Sequence, residues 1–253
     1  MLTLAVDRST VQGDLDVGHE SEVPQPNDYV RKKLGLQDVI MTRDRDVQIH
    51  LLLNRCSHRG NQVCDDARGN SGTFRCPYHG WTFRNTGDLI GFPFFKGYGQ
   101  RQLDMPLAHV PRMDSYGGFV FGSFAPDGPS LREHLGAAAG EIDRLTRLSP
   151  EGKVALNAGW LAHKTRANWK LLAENETDGY HPQFVHGSIF SVTGSTIAPL
   201  YADSSTAVTR DLGGGHSEND LRPEFRADPV ERLQARHRGD SADADRDAQQ
   251  PVR

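Results

Sequence analysis

The chain has 253 residues, a formal net charge of −4 and 36% hydrophobic residues. That is enough for one large or two ordinary domains, with a leaner core than usual. The acidic balance excludes a general affinity for nucleic acid, and no apolar run approaches the ~20 residues that cross a bilayer.

The N-terminal MLTLAVDRST has neither a basic region nor a long apolar stretch, so it does not read as a secretory signal, and a cytoplasmic protein is expected. Residues 1–20 are polar and carry no clear pattern. From about Pro24 to Phe124 the chain reads as short strands between turns. DVIMTRD and VQIHLLLN are rich in Val, Ile and Leu, while GTFRC, GWTFRNTGDLIGF and GGFVFGSF add aromatic residues punctuated by glycine. RNTGDL predicts a hairpin turn with Gly87 at positive φ.

The pattern changes near Pro126. PSLREHLGAAAGEIDRL predicts a helix whose core contacts are Leu131, Leu135, Ile142 and Leu145. Ala155–Lys164 reads as a strand, TRANWKLLAENETDGYHPQFVH as helix up to about His181, and residues 190–216 as strand and loop. DPVERLQARH can start a further helix, with Asp228 as N-cap and Pro229 in the first turn. The tail RGDSADADRDAQQPVR has too little apolar content to fold. No internal repeat is visible.

Two loops carry the chemistry. NRCSHRG places Cys56 two positions before His58, and RCPYHG places Cys76 three positions before His79. Two of only three cysteines thus stand beside histidines, which fits metal binding better than a disulfide framework. One Cys and one His from each loop suit a two-iron cluster: Cys56 and Cys76 on one iron, His58 and His79 on the other. Gly60 and Gly80 let the backbone turn away after each histidine. Neutral imidazoles in place of two thiolates raise the potential of such a centre. A zinc ion accepts the same ligand types, although Cys-x-His is tight for one tetrahedral ion. Cys64 reads as a small buried apolar residue.

A second group lies in NWKLLAENETDGYHPQFVH. His181 and His186 are five positions apart, which on an unbroken helix leaves them about 140° apart. Pro182 predicts a helix that ends or kinks at His181, bringing His186 round to face it. Asp178, on the same helical face three residues earlier, is placed to accept a hydrogen bond from an imidazole.

NRCSHRGNQVC…GTFRCPYHGWTF resembles the Rieske [2Fe–2S] domain of aromatic ring-hydroxylating oxygenase large (alpha) subunits. The similarity covers roughly residues 20–125 and lacks the extra disulfide cysteines of respiratory Rieske proteins. ENETDGYHPQFVH resembles that family's mononuclear-iron motif, and Asn168–Lys170 also matches it. The resemblance implies an α+β chain in four parts: an N-terminal segment over 1–20, an all-β Rieske domain over 21–125, an incomplete α+β, helix-grip-like catalytic domain over 126–225, and a polar tail over 226–253. It implies a [2Fe–2S] cluster on Cys56, His58, Cys76 and His79, and a mononuclear Fe(II) on His181 and His186. Asp178 matches the aspartate that links the iron site to a Rieske histidine of the neighbouring subunit in a ring-shaped trimer.

By the same resemblance, electrons come from NADH through a reductase, often with a ferredoxin. The iron then uses O₂ on an aromatic substrate, giving a cis-dihydrodiol or a hydroxylated product. The assembly is a homotrimer or a hetero-oligomer with a small subunit, with no nucleic acid and no membrane. ENETDGYH is closer to members acting on benzoate-like acids than to those acting on naphthalene. The family's third iron ligand is a carboxylate far downstream. Asp203, Asp211, Glu218, Asp220 and Glu224 do not match its position. The chain therefore reads as truncated, or frame-shifted near its end, with an assembled Rieske centre and weak or absent hydroxylation. The alternative is an electron-transfer Rieske protein, or an inactive fragment, whose C-terminal part is a relic.

Overall fold

A computed structural model of the chain describes residues 2–3, 15–97, 104–156, 166–178, 181–186, 188 and 208–220. In chain order the described strands begin with β1 (Leu2–Thr3), β2 (Leu15–His19), β3 (Asp28–Leu34), β4 (Gln37–Arg43), β5 (Ile49–Leu53) and β6 (Arg68–Asn70). They continue with β7 (Thr73–Arg75), β8 (Thr82–Arg84), β9 (Leu89–Gly91), β10 (Arg112–Tyr116), β11 (Phe119–Ser123), β12 (Val208–Gly213) and β13 (His216–Asp220). The α-helices are α1 (Leu131–Leu135), α2 (Ala138–Arg147), α3 (Trp169–Thr177) and α4 (Pro182–Val185). The chain divides into one unit of Ala5–Lys164 and another of Met1–Leu4 with Thr165–Arg253.

In the first unit a four-stranded antiparallel sheet of order β5-β4-β3-β6 is buried on both faces. Successive side chains of a strand point to opposite faces. Val39 and Met41 therefore join one core, with Val17, Val23, Leu34, Val110 and Val120, while Ile40 joins another. Leu51 and Leu52 split in the same way, as do Val30 and Tyr29. This is why VIM and LLL read as continuous apolar runs rather than alternating ones. The second core contains Cys56, Val63, Cys64, Phe74, Cys76, Trp81, Phe83, Phe92 and Leu107. Beside it lies the small sheet β7-β8-β9, and the β8–β9 hairpin turns at Gly87 with φ 98°, as its sequence requires.

A third sheet, β10-β11-β2, corrects the reading of residues 1–20. Leu15–His19 is a strand that pairs antiparallel with Phe119–Gly122. LDVGH lacks a clean alternation because Gly18 interrupts it, and the partner strand, a hundred residues downstream, supplies what propensity does not.

The helices after Pro126 lie in this same unit. The Tyr116 hydroxyl on β10 donates to Asp143 on α2 at 2.9 Å and accepts from Arg132 on α1 at 3.0 Å. The single expected helix is two. Ser130 and Glu133 cap α1 reciprocally, and Gly136, in the left-handed region at φ 49°, ends it. Leu131, Leu135 and Ile142 are buried as expected, but Leu145 is exposed on the outer face of α2.

The second unit contains α3, α4 and the sheet β1-β13-β12. Asn168 caps α3 by accepting from the Lys170 amide at 3.0 Å. The helix ends at Thr177, not near His181, because Asp178 is extended at φ −89°, ψ 100°. Thr209 on β12 donates to the Thr177 carbonyl at 3.2 Å, tying the sheet to that helix end. Glu218 is buried and meets Arg210 across the β12–β13 ladder at 3.3 Å. The strand expected at Ala155–Lys164 falls mostly outside the described residues, as do the 228–237 helix and the tail. Among the described residues no helix is long and apolar enough to cross a membrane.

Candidate metal centres

The two Cys/His loops share one backbone design despite different sequences. The Cys56 amide donates to the Asn61 carbonyl at 2.8 Å, and the Cys76 amide donates to the Trp81 carbonyl at 2.8 Å. The Gly60 amide returns to the Cys56 carbonyl at 2.8 Å, and the Gly80 amide to the Cys76 carbonyl at 3.0 Å. In each loop the cysteine opens a tight turn and a glycine four positions later closes it. Gly60 and Gly80 have φ of 75° and 70°, a conformation that disfavours any residue with a Cβ. The histidine falls two positions after the first cysteine and three after the second, so the loops match in bonding while the rings leave from different points.

The four side chains pair off, thiol with thiol and ring with ring. Cys56 and Cys76 are both 2% exposed, unoxidised, and within hydrogen-bonding reach of one another. The rings of His58 and His79 lie edge to face with centroids 4.6 Å apart. Burial pushes the Cys56 thiol up, and the neighbouring Cys76 adds to this. Burial and the charges of His79 and Arg59 push the pKa of His58 down. His58 Nδ1 is buried with no hydrogen-bond partner. A buried, unpaired ring nitrogen costs free energy unless something occupies it. The set offers two sulfurs and two imidazoles in pairs, which fits a two-iron, two-sulfide cluster. Cys64 stands apart from this set. Its thiol lies 3.6 Å from the Asp66 carbonyl, and burial pushes its pKa up, in keeping with an inert core residue.

Three positioning groups were not singled out from sequence. Buried Asn54 accepts from the amides of Val63 and Cys64 at 3.1 and 2.9 Å and donates to the Cys64 carbonyl at 2.7 Å. It closes the first loop like a clasp. A polar residue directly after the apolar run LLL was the available signal. Ser57 fixes the same loop by donating to the Met105 carbonyl at 2.7 Å. Trp81 lies parallel to His58, with centroids 4.8 Å apart and planes 3° from parallel.

The second group is local. His181 accepts the amides of Phe184 and Val185 on its carbonyl, each at 3.0 Å, so it starts α4 with Pro182 in the first helical position. Pro182 opens α4 instead of breaking a helix that runs to His181, and the rings of His181 and His186 approach to 5.4 Å. Asp178 meets His181 Nδ1 at 3.2 Å. It does so from the extended residue that caps α3, not from a shared helical face. An ionised carboxylate only accepts, so Nδ1 donates and Nε2 is left available to a metal. Among the described residues no group of three His, Cys, Asp or Glu side chains gathers to hold one ion.

Known proteins match this arrangement. The profile of the Rieske [2Fe–2S] domain matches residues 14–110, which includes β2 and both Cys/His loops. The chain is 40% identical over 189 residues to the N,N-dimethyl phenylurea N-demethylase subunit alpha of Sphingobium sp. (strain YBL2), covering 73% of this chain and 41% of that protein. It is 36% identical over 204 residues to the toluate 1,2-dioxygenase subunit alpha of Pseudomonas putida, covering 79% and 45%. The crystal structure of naphthalene 1,2-dioxygenase from Rhodococcus sp. bound to indole superimposes with a TM-score of 0.66 at 38% identity, over 74% of this chain and 43% of that one. The chain thus spans less than half the length of the curated relatives it matches.

Proposed function

Over the stretch it shares with them, the chain belongs with the large subunits of Rieske non-haem iron oxygenases, and from that premise we propose that it serves an aromatic-ring-hydroxylating oxygenase. The carrying observation is the pair of loops with one bonding pattern, presenting two buried thiols and two apposed imidazoles. Cys56 and Cys76 hold one iron of a [2Fe–2S] cluster; His58, through its unpaired Nδ1, and His79 hold the other. His181 and His186 hold a mononuclear Fe(II). When bound, these metals supply one-electron transfer and the activation of O₂ toward an aromatic substrate.

The chain's own residues prepare that chemistry. Burial of the two thiols excludes water from the sulfur side. The lowered pKa of His58 favours the neutral ring, the form that binds metal. Asn54 and Ser57 hold the first loop in place before any metal arrives, so less ordering remains to be done on binding. Asp178 keeps the proton on His181 Nδ1 and so fixes the ligating nitrogen. It also takes the bridging position toward a Rieske histidine of a neighbouring subunit.

The electron donor is an NADH-dependent reductase, directly or through a ferredoxin. The assembly is a homotrimer or a hetero-oligomer with a small subunit, working in the cytoplasm on a benzoate-like acid. The test is anaerobic reconstitution with iron and sulfide, then NADH, reductase, O₂ and benzoate. The reading expects a coloured protein that is reduced by NADH and yields little hydroxylated product. A cluster that cycles without product selects the electron-transfer alternative, and a colourless protein overturns both.

A further inference from the structure

The two cluster histidines do not share the same surroundings. The face of His58 is covered by Trp81, 5% exposed and nearly parallel to it at 4.8 Å. Phe92 also stacks on the indole, at 4.8 Å and 22°. The result is a three-ring stack, His58–Trp81–Phe92, that reaches into the core. His79 instead leans on Tyr78, at 3.9 Å and 36°, and Tyr78 is 60% exposed. Trp81 is also anchored through its backbone, since its carbonyl accepts the Cys76 amide at 2.8 Å. One residue therefore closes the second loop with its main chain and plates the first loop's histidine with its side chain.

We infer that Trp81 is a positioning residue that fixes the ring plane of His58 and lowers the potential at which the cluster takes up its electron; this rests on the ligand assignment proposed above. A cluster with two thiolates and two neutral imidazoles is neutral when both irons are ferric, and one added electron gives it a negative charge. The π-face of an aromatic ring is itself negative. An indole held flat on a ligand ring opposes the added charge. It also excludes water that would stabilise that charge, and solvent exposure is among the determinants of iron–sulfur potentials. Both effects act in the same direction, so losing the indole raises the potential.

The experiment is a redox titration of reconstituted protein, with EPR of the reduced state and iron content measured alongside. Trp81→Leu is expected to load the cluster and titrate at a more positive potential, with altered hyperfine coupling at one ligand nitrogen. Trp81→Phe is expected to shift less in the same direction. Phe92→Leu, which leaves the indole present without that second stacked ring, is expected to shift less still. Tyr78→Leu, on the exposed side, gives the smallest change. If Trp81→Leu does not fold, the order of the Trp81→Phe and Phe92→Leu potentials against the unsubstituted chain decides. Identical potentials in loaded Trp81 variants and the unsubstituted chain overturn the inference while leaving the ligand assignment standing. An unsubstituted chain that forms no cluster overturns the assignment and the inference together.

Discussion

The Cys56/His58 and Cys76/His79 loops are held by contacts far away in the chain. Asn54 clasps Cys64, Ser57 reaches Met105, and the flanking strands pair within sheets buried on one or both faces. His181 and His186 are held by their own segment. An extended Asp178, a carbonyl that starts a four-residue helix and a proline in its first position are enough to turn one ring toward the other. Trp81 and Phe92, beside the first group, are core residues, whereas Phe184 and Val185, beside the second, are 70% and 67% exposed. A site built on a core is preorganised and survives loss of a metal. A site built on a turn draws its order from local bonds and from whatever binds it.

The largest break in this contrast comes from the sulfur ligands. Cys56→Ser or Cys76→Ser is expected to abolish the cluster, seen as complete loss of visible absorbance and of the EPR signal after reduction. His186→Ala is expected to leave that colour intact while removing the mononuclear iron, read by iron analysis. Colour lost in His186→Ala would mean that the two regions are not independent metal sites. Asp178→Asn is expected to keep both metals and slow reoxidation of the reduced cluster by about 10–100-fold in single-turnover measurements. Unchanged transfer would leave Asp178 with no bridging role.

The smaller effects test the preorganised region alone. Gly80→Ala puts a Cβ into the left-handed conformation and within 3.3 Å of Arg75 and Pro93, so about 1–2 kcal/mol of stability should be lost in urea unfolding. Asp44 sits in the turn before β5. Burial alone raises its pKa, but hydrogen bonds from His50 and the Gln48 amide, each 2.8 Å, outweigh burial and hold the carboxyl below its usual range. A depressed carboxyl stabilises the fold above its unfolded pKa of about 4 and loses that contribution as pH falls through the folded value. Asp44→Asn should therefore cost about 1–3 kcal/mol at neutral pH and flatten the acid limb of the stability curve.

The pairing of the two Cys/His loops and the approach of His181 to His186 were legible in the sequence because their signals are local. Cys-x-His, Cys-x-x-His and His-Pro fix which residues turn and where, and a glycine four positions after each cysteine admits the closing turn. Strands β4, β5, β7, β8, β9 and β11 were legible because their apolar and aromatic residues stand out between turns. What escaped depends on distant partners. Leu15–His19 becomes a strand only because Phe119–Gly122 lies beside it. Asn54 and Trp81 matter through what they touch, and the helices after Pro126 join the β unit through Tyr116. The end of α3 was misplaced because Asp178 looks helix-compatible in sequence, yet it leaves the helix to meet His181 from a cap.

The central claim is that the two loops share one pair of bridged irons, with sulfur on one side and imidazole nitrogen on the other. Nitrogen-resolved double resonance on the dithionite-reduced, reconstituted protein tests it most directly. Two inequivalent ligand nitrogens, lost one at a time in His58→Cys and His79→Cys, are the expected result. A paramagnetic cluster without nitrogen coupling, or no paramagnetic species at all, would contradict it.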